Sequence, residues 1–236
     1  GVWFTNSGSQ TAVVDFTVDG GALLGFEAGQ RSVRSGDRLF FSVFSPELGQ
    51  ELGIWQDGAL TVLDLGASAD GSFPSDFALV GEDFYFLANG SELSRVRDGV
   101  LQEDLVGGFT FVDHLIAADD LLVFTARPVG QDDTQVYSYS ASGTLTRLSN
   151  IRPPDLAGTI GAPAFFEGRV YFEASDKRDG TNETTVLYRG TELHRATPGV
   201  ADSAALFANL GLPDLAGQEF SFGGLLPPIV FPGTVT

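Results

Sequence analysis

The chain of 236 residues carries 31 acidic and 13 basic side chains, which gives a formal net charge of −18. This charge argues against nucleic acid and anionic membrane surfaces as partners, because both attract a basic protein surface. Cysteine is absent, so disulfides and thiolate metal sites are excluded. A hydrophobic content of 43%, with 20 phenylalanines, is sufficient for the core of one domain.

In chain order, one pattern recurs from the start. Five apolar triplets ending in phenylalanine mark the repeat, at Phe4, Phe41, Phe86, Phe124 and Phe172. A hairpin turn containing glycine lies about midway between these triplets, at Gly20, Gly58, Gly99, Gly143 and Gly190. Glycine adopts the positive φ that tight hairpins need. Each repeat, seen most clearly over 76–105, therefore predicts four short antiparallel strands.

These repeats predict an all-β fold, a β-propeller of four-stranded antiparallel blades. One such unit cannot bury both of its faces alone, and radial packing covers each face with the neighbouring unit. Complete blades are predicted over 33–65, 76–106, 112–149 and 163–197. The chain opens in mid-repeat, and residues 203–211 are predicted to supply the missing first strand and close a ring of five blades. A further phenylalanine motif ending at Phe222 leaves six blades, or part of a larger propeller, as the alternative.

The propeller is therefore predicted to occupy residues 1–211, followed by an apolar tail over 212–236. Pro227, Pro228 and Pro232 near the end of this tail are incompatible with a central strand. The tail is interpreted as a strap against its own domain, with an arm donated to a neighbouring subunit as the alternative.

The order of the strands predicts two unlike faces. The turns between first and second strands and between third and fourth strands are short and share one side, the short-turn face. The remaining connections form the long-loop face, predicted over 44–50, 65–75, 88–91, 105–111, 127–134, 149–162, 174–184 and 197–203. Since rigid scaffolds commonly carry function in such loops, a binding site is predicted on the long-loop face.

Two aspartates are the candidate catalytic residues. Asp76 and Asp113 fall near equivalent points where first strands begin, close to the expected central tunnel. Paired carboxylates cleave glycosides, so these two residues support a carbohydrate-active enzyme as an alternative function. The competing interpretation is that acidic residues at strand starts are ordinary in so acidic a chain. His114 is interpreted as structural and His194 as an exposed strand residue.

Calcium is the predicted cofactor if one is bound. Asp176, Asp179, Asn182 and Glu183 offer hard oxygen ligands in one loop, and Asp132 and Asp133 lie in the equivalent loop one repeat earlier. The D-x-D-x-D-G spacing is absent, and Lys177 and Arg178 dilute the negative charge. A solvated turn is therefore the competing interpretation.

Two kinds of segment carry a family resemblance. VYFEASDKRDGTNETTVLYRGTELHRA and LFFSVFSPELGQELGIWQDGALTVLD resemble tandem repeats of secreted bacterial proteins, in which an F-x-A strand leads to an "ELW-x-x-DGT" hairpin. VYSYSASGTLTRL is similar to the "Y-x-x-x-G-x-LTRV" repeats of bacterial cell-surface proteins. The resemblance spans about 35–200 and implies an exported propeller. It implies no catalytic residues.

The leading hypothesis is a non-enzymatic, secreted or cell-surface propeller that acts in assembly, adhesion or ligand recognition. Its expected partner is a protein or a glycan on the long-loop face, with self-assembly through the tail as a further expectation. Since the chain does not begin with methionine, it is interpreted as trimmed. A domain cut from a large adhesin is the third alternative.

Overall fold

The computed structural model of the chain describes residues 2–5, 11–14, 17–18, 21–22, 32–45, 47–66, 71–151, 160–174 and 192–208. All regular secondary structure in these residues is β-strand. They include no helix long and apolar enough to cross a membrane.

The opening repeat contributes two hairpins of short strands. The strands are β1 (Val2–Thr5), β2 (Thr11–Val14), β3 (Thr17–Val18) and β4 (Gly21–Ala22). β1 pairs with β2, and β3 pairs with β4. The second hairpin encloses the predicted turn at Gly20, so the described strands follow the predicted order of this repeat.

Three complete four-stranded meanders follow, named here sheets I, II and III. Sheet I contains β5 (Val33–Ser35), β6 (Arg38–Ser45), β7 (Gly49–Gln56) and β8 (Ala59–Leu63). Sheet II contains β9 (Ser75–Val80), β10 (Asp83–Ala88), β11 (Glu92–Arg97) and β12 (Val100–Gln102). Sheet III contains β13 (Phe109–Ala118), β14 (Leu121–Pro128), β15 (Gln135–Ser140) and β16 (Leu145–Arg147). In each sheet the spatial order is the chain order, which confirms the predicted meander.

Tight hairpin turns join the third and fourth strands of sheets I and II as predicted. Asp57 and Gly58 have φ of 53° and 81°, and Asp98 and Gly99 have φ of 51° and 77°. Positive φ at both central residues is the type I′ turn, whose twist matches that of the flanking strands.

Sheet IV differs from its predicted strand assignment. It contains β17 (Ala164–Phe166), β18 (Arg169–Ala174), β19 (Glu192–Ala196) and β20 (Ala205–Ala208), in that order. Residues 192–196 were predicted as a fourth strand, yet β19 pairs directly with β18. Residues 203–211 were predicted beside the opening repeat, whereas β20 pairs with β19. Residues 197–203 therefore join a third to a fourth strand and lie on the short-turn face, and their predicted place on the long-loop face is wrong. The predicted third strand of this repeat, the boundary at 211 and the tail over 212–236 lie outside the described residues, and five blades remains a prediction.

The new position of β19 also corrects the interpretation of His194. This side chain lies opposite Phe172 on β18, is only 3% exposed, and stacks on the Phe172 ring at 5.8 Å. A third strand is flanked on both sides, so its inward residues are buried, whereas an outer strand would have left the imidazole in water.

Successive sheets pack face to face, and β10 shows how the sequence achieves this. Alternate side chains of a strand point to opposite faces. Phe84 and Phe86 therefore pack against sheet I, where Phe84 stacks on Phe40 at 4.0 Å, while Tyr85 and Leu87 pack against sheet III. Where a strand is covered on both faces, apolar residues follow one another without alternation, which explains the phenylalanine triplets.

The first strands of successive sheets are neighbours at the centre of the fold. β9 contacts β5 on one side and β13 on the other, and β13 also contacts β17. Core clusters fill the spaces between sheets I and II, II and III, and III and IV. Sheets stacked in this radial manner are the blades of a β-propeller, as predicted.

Candidate functional site on the long-loop face

The long connections of neighbouring sheets are hydrogen-bonded to one another. The amides of Ser72 and Phe73 donate to the Gln50 carbonyl oxygen at 3.0 and 3.1 Å. The amide of Asn89, in the next sheet, donates to the Ser72 carbonyl oxygen at 2.7 Å. Hydrogen bonds between main-chain groups restrict the movement of these connections. The connections of sheets I and II therefore form one continuous surface, as the strand order predicted.

A buried carboxyl group is hydrogen-bonded to the residues that form this surface. Glu51 lies on β7 and is fully buried. Its Oε2 accepts hydrogen bonds from the Leu65 amide at 3.1 Å and from the Ser72 hydroxyl at 2.5 Å, while its Oε1 has no hydrogen-bond partner. The two bonds join β7 to both described ends of the connection that leads into sheet II.

The structure brings the two predicted catalytic aspartates together. Asp76 lies on β9 and Asp113 on β13, and the backbone amide of His114 donates to both. The nitrogen is 2.7 Å from Asp76 Oδ2 and 2.9 Å from Asp113 Oδ1. Asp76 is the second residue of its strand, but Asp113 is the fifth, because β13 begins further out by pairing Phe109 with Pro128.

Irregular backbone at the same level creates this contact. The pairing of β9 with β10 shifts register beside Asp76, and that of β13 with β14 shifts register after Asp113. Asp76 and His114 have φ of 49° and 57°, a left-handed conformation that non-glycine residues seldom adopt. Bulges of this kind redirect side chains and are common beside functional sites.

The environment of Asp76 favours its protonated form. Burial raises the pKa of the Asp76 carboxyl, and a hydrogen bond with the Asp113 carboxyl raises it further, against the opposing effect of the His114 amide. Carboxyls that act on glycosides stand about 5–5.5 Å apart in retaining enzymes and about 6.5–9.5 Å apart in inverting enzymes. The glycosidase hypothesis stays a prediction, because the shared His114 amide brings the two carboxyls near one another without setting their separation.

The His114 imidazole belongs to the same cluster. Its Nδ1 is 3.1 Å from the Thr125 hydroxyl oxygen on β14, and that hydroxyl donates to the Asp113 carbonyl oxygen at 3.1 Å. Because the hydroxyl proton is used, the ring donates from Nδ1. The side chain is 39% exposed, so it closes one side of the aspartate pair and also reaches solvent.

Charge is unequally divided between the two faces. Besides Asp76, whose pKa is raised, the acidic residues of the long-loop face in the described residues are Glu47, Asp64, Glu92, Glu103, Asp104, Asp113, Asp132, Asp133 and Glu173. The one basic residue described there is Arg127, near the end of β14. The other described arginines lie near the strand ends on the side of the short-turn face, and several of them form ion pairs with acidic residues there. They are Arg34, Arg38, Arg95, Arg97, Arg147, Arg169 and Arg195. The negative potential of the described residues is therefore concentrated on the long-loop face.

Exposed apolar side chains accompany these acids. Phe73 is 53% exposed and hydrogen-bonds through its amide to Gln50, which pairs with the exposed Phe44. On the sheet III side, Phe111 is 37% exposed and lies under the Arg127 guanidinium at 5.9 Å. The face thus combines negative charge with aromatic contact area.

The calcium ligands predicted from sequence are only partly observable. In the connection between β14 and β15, Asp132 is exposed and Asp133 is half-buried. Asp176, Asp179, Asn182 and Glu183 lie outside the described residues. Within the residues that are described, no three histidine, aspartate or glutamate side chains are grouped so as to hold a metal ion.

Three residues of the face escaped the sequence reasoning. Glu51 and Arg127 sit within strands, where polar residues are expected to alternate outward, and Phe73 sits in a loop of small residues. A signal existed for Glu51 alone, since a carboxylate between the apolar positions of a central strand suggests a buried anchor. Arg127 and Phe73 carried no such signal.

Comparisons with solved structures return β-propellers. The β-propeller domain of the Trilobed protease from Pyrococcus furiosus matches with a TM-score of 0.51 and 13% identity, over 78% of this chain and 56% of that one. A puromycin-hydrolyzing peptidase from Mycobacterium tuberculosis matches with a TM-score of 0.51 and 15% identity, over 75% of this chain and 28% of that one. The chain therefore spans about half of the first and about a quarter of the second.

Such identities show the fold alone: the chain is a β-propeller. A GH43 endo-arabinanase from Bacillus licheniformis matches with a TM-score of only 0.30 and 12% identity, over 70% of this chain and 69% of that one, which does not bear on the glycosidase hypothesis. No protein-family model and no curated protein sequence matches the chain.

Proposed function

We propose that this propeller is a non-enzymatic recognition module that binds a positively charged segment of a protein partner on its long-loop face. The segregation of charge carries the proposal. Arginines accompany the acidic groups toward the short-turn face, whereas the long-loop face has, besides Asp76, nine acidic residues and one arginine among the described residues. A surface of one sign attracts and orients a partner of the opposite sign.

The geometry of the face supports binding over catalysis. Its connections are hydrogen-bonded to one another through the main chain of Gln50, Ser72 and Asn89, so the surface is already formed in the free protein. Exposed Phe44, Phe73 and Phe111 supply the apolar contact area that interface cores use. A secreted or cell-surface location, as the repeat resemblance implies, belongs to the same proposal.

The test uses a fluorescent arginine-rich decapeptide as the probe. Replacing Asp132 and Asp133 by asparagine removes two negative charges from the long-loop face. We expect the affinity measured by fluorescence anisotropy to fall roughly fivefold, which corresponds to about 1 kcal/mol for the two charges. The salt dependence of binding should also become shallower.

The matched control replaces Asp119 and Asp120 by asparagine. These aspartates are also adjacent, and both are exposed, but they form the turn between β13 and β14 on the short-turn face. The net charge changes by the same amount, and binding should not change. Equal losses in the two double variants would show that the peptide responds to net charge and not to the proposed face.

A further inference from the structure

The aspartate pair joins two blades of the propeller. Asp76 belongs to the first strand of sheet II, and the amide to which it is bonded belongs to the first strand of sheet III. That amide is shared with Asp113, which holds two carboxyl groups within a few ångströms of one nitrogen. Two carboxylates confined in this way repel each other strongly when both are ionised.

We propose that Asp76 keeps a proton that it donates to Asp113, and that this carboxyl–carboxylate hydrogen bond is a pH-sensitive joint between sheets II and III. Loss of the proton replaces the bond with repulsion between β9 and β13. The joint is therefore closed when the pair holds one proton and weakened when it holds none. It acts in the free protein and does not depend on the proposed partner.

Few other charges face the pair. His114 is on the same strand, with Nδ1 at 3.8 Å from Asp113 Oδ2. Arg127 lies two positions beyond Thr125 on β14 and makes no ion pair with Asp113 within 4 Å. β9 and its partner β10 carry no other charged residue at this level. Among the described residues, no arginine forms an ion pair with either carboxylate, so a proton is the compensating charge that we assign to the pair.

The direction of the pH effect follows from the raised pKa of Asp76, which is caused first by burial and then by the bond to Asp113. The folded protein binds this proton more tightly than the unfolded chain. Its contribution to stability is complete below the ordinary value of 3.8 and is lost as pH rises through the raised pKa.

The experiment measures urea unfolding of the wild type and Asp76→Asn across pH 3.5 to 9. Asparagine keeps an N–H donor toward Asp113 without a titratable proton. We expect the ratio of wild-type to variant unfolding constants to rise severalfold as pH increases, with Asp113→Asn behaving alike and the double variant adding little. Asp120→Asn removes an exposed carboxyl of the adjoining turn and should show a flat ratio.

Two further measurements keep the test decisive. His114→Gln retains the backbone amide, so the pH-dependent step should persist; its disappearance would assign the step to the imidazole and overturn the proposal. Carboxyl carbon-13 resonances of the wild type should show Asp76 and Asp113 titrating together, whether or not the variants fold. Independent single-step titrations in the ordinary carboxyl range, or a flat ratio for Asp76→Asn, would also overturn it.

Discussion

At the scale of single residues, Asp83 has an environment opposite to that of Asp76. Its carboxylate accepts hydrogen bonds from Arg97, including one from Nε at 2.6 Å, and lies 3.4 Å from Arg95. Both arginines also donate to the Ala141 carbonyl oxygen of sheet III. The same kind of side chain is thus paired with cations at one place and with another carboxyl at the other.

Asp83→Asn should therefore destabilise the protein at neutral pH. The hydrogen bond with Arg97 holds the pKa of Asp83 below its ordinary value of 3.8, with burial as an opposing effect. The stability that this carboxylate provides is present above that value and is lost as pH falls through the lowered pKa. We expect a loss of about 2 kcal/mol at pH 7 and a smaller one at pH 3, measured by urea unfolding.

The neighbouring Glu82→Gln is the control for this change. Glu82 is exposed in the turn before β10, so the same loss of charge should cost less than about 0.5 kcal/mol. Equal losses for Asp83→Asn at pH 7 and pH 3 would contradict the role given to the ionised carboxylate.

Gly71→Ala should be among the more damaging glycine substitutions. A Cβ there would lie 2.3 Å from the Gln50 backbone nitrogen, and the residue has φ of 90°. Gly58 has a similar φ of 81° but open space around it. We expect Gly58→Ala to cost about 1 kcal/mol through backbone strain and Gly71→Ala distinctly more through the added clash. Thermal unfolding of both variants measures the difference, and equal losses would exclude a steric role for Gly71.

At the scale of elements, the packing of β10 between two sheets sets its tolerance to change. Phe84 contacts Phe40 and Phe77 on the sheet I side and has no exposed surface. Phe84→Ala should cost about 3–5 kcal/mol in free energy of unfolding, because it leaves a cavity between two blades.

Phe166→Ala is the matched control, since this ring is 62% exposed in a strand of sheet IV. Its removal should change the free energy of unfolding by less than about 0.5 kcal/mol. A similar cost at both positions would mean that the sheets do not depend on inter-blade packing at Phe84.

At the scale of the whole molecule, the net charge of −18 opposes the compact state. Raising sodium chloride from about 0.01 to about 0.1 M shortens the Debye length from about 30 to about 10 Å. We expect the melting temperature to rise over this range, as measured by calorimetry. Potassium chloride should have the same effect, and an unchanged melting temperature would show that the acidic residues are too dispersed to repel each other.

The same measurement tests the predicted calcium binding. Calcium and magnesium chloride at equal concentration screen charge alike, but flexible oxygen ligands favour calcium. If residues such as Asp132 and Asp133 contribute to a calcium site, calcium should raise the melting temperature more than magnesium does. Equal effects of the two ions would remove calcium from the proposed cofactors.

Much of the architecture could be read from the chain because it depends on local rules. Alternation of side chains marks the strands, and Asp57–Gly58 and Asp98–Gly99 mark turns whose φ only certain residues adopt. A strand with an unbroken apolar run, as over residues 84–88 of β10, must be covered on both sides. Repetition of this local pattern then implies radial packing, which the structure confirms.

Only the tertiary structure shows how strands distant in sequence pair and which side chains meet on the long-loop face. β19 joined β18 directly because strand pairing depends on the register of buried residues such as Phe172 and His194, which no local rule specifies. Asp76 and Asp113 could be placed near one another from the repeat, but not within reach of one amide. That contact depends on two bulges and on His114 at positive φ, where the packing of neighbouring blades overrides local preference.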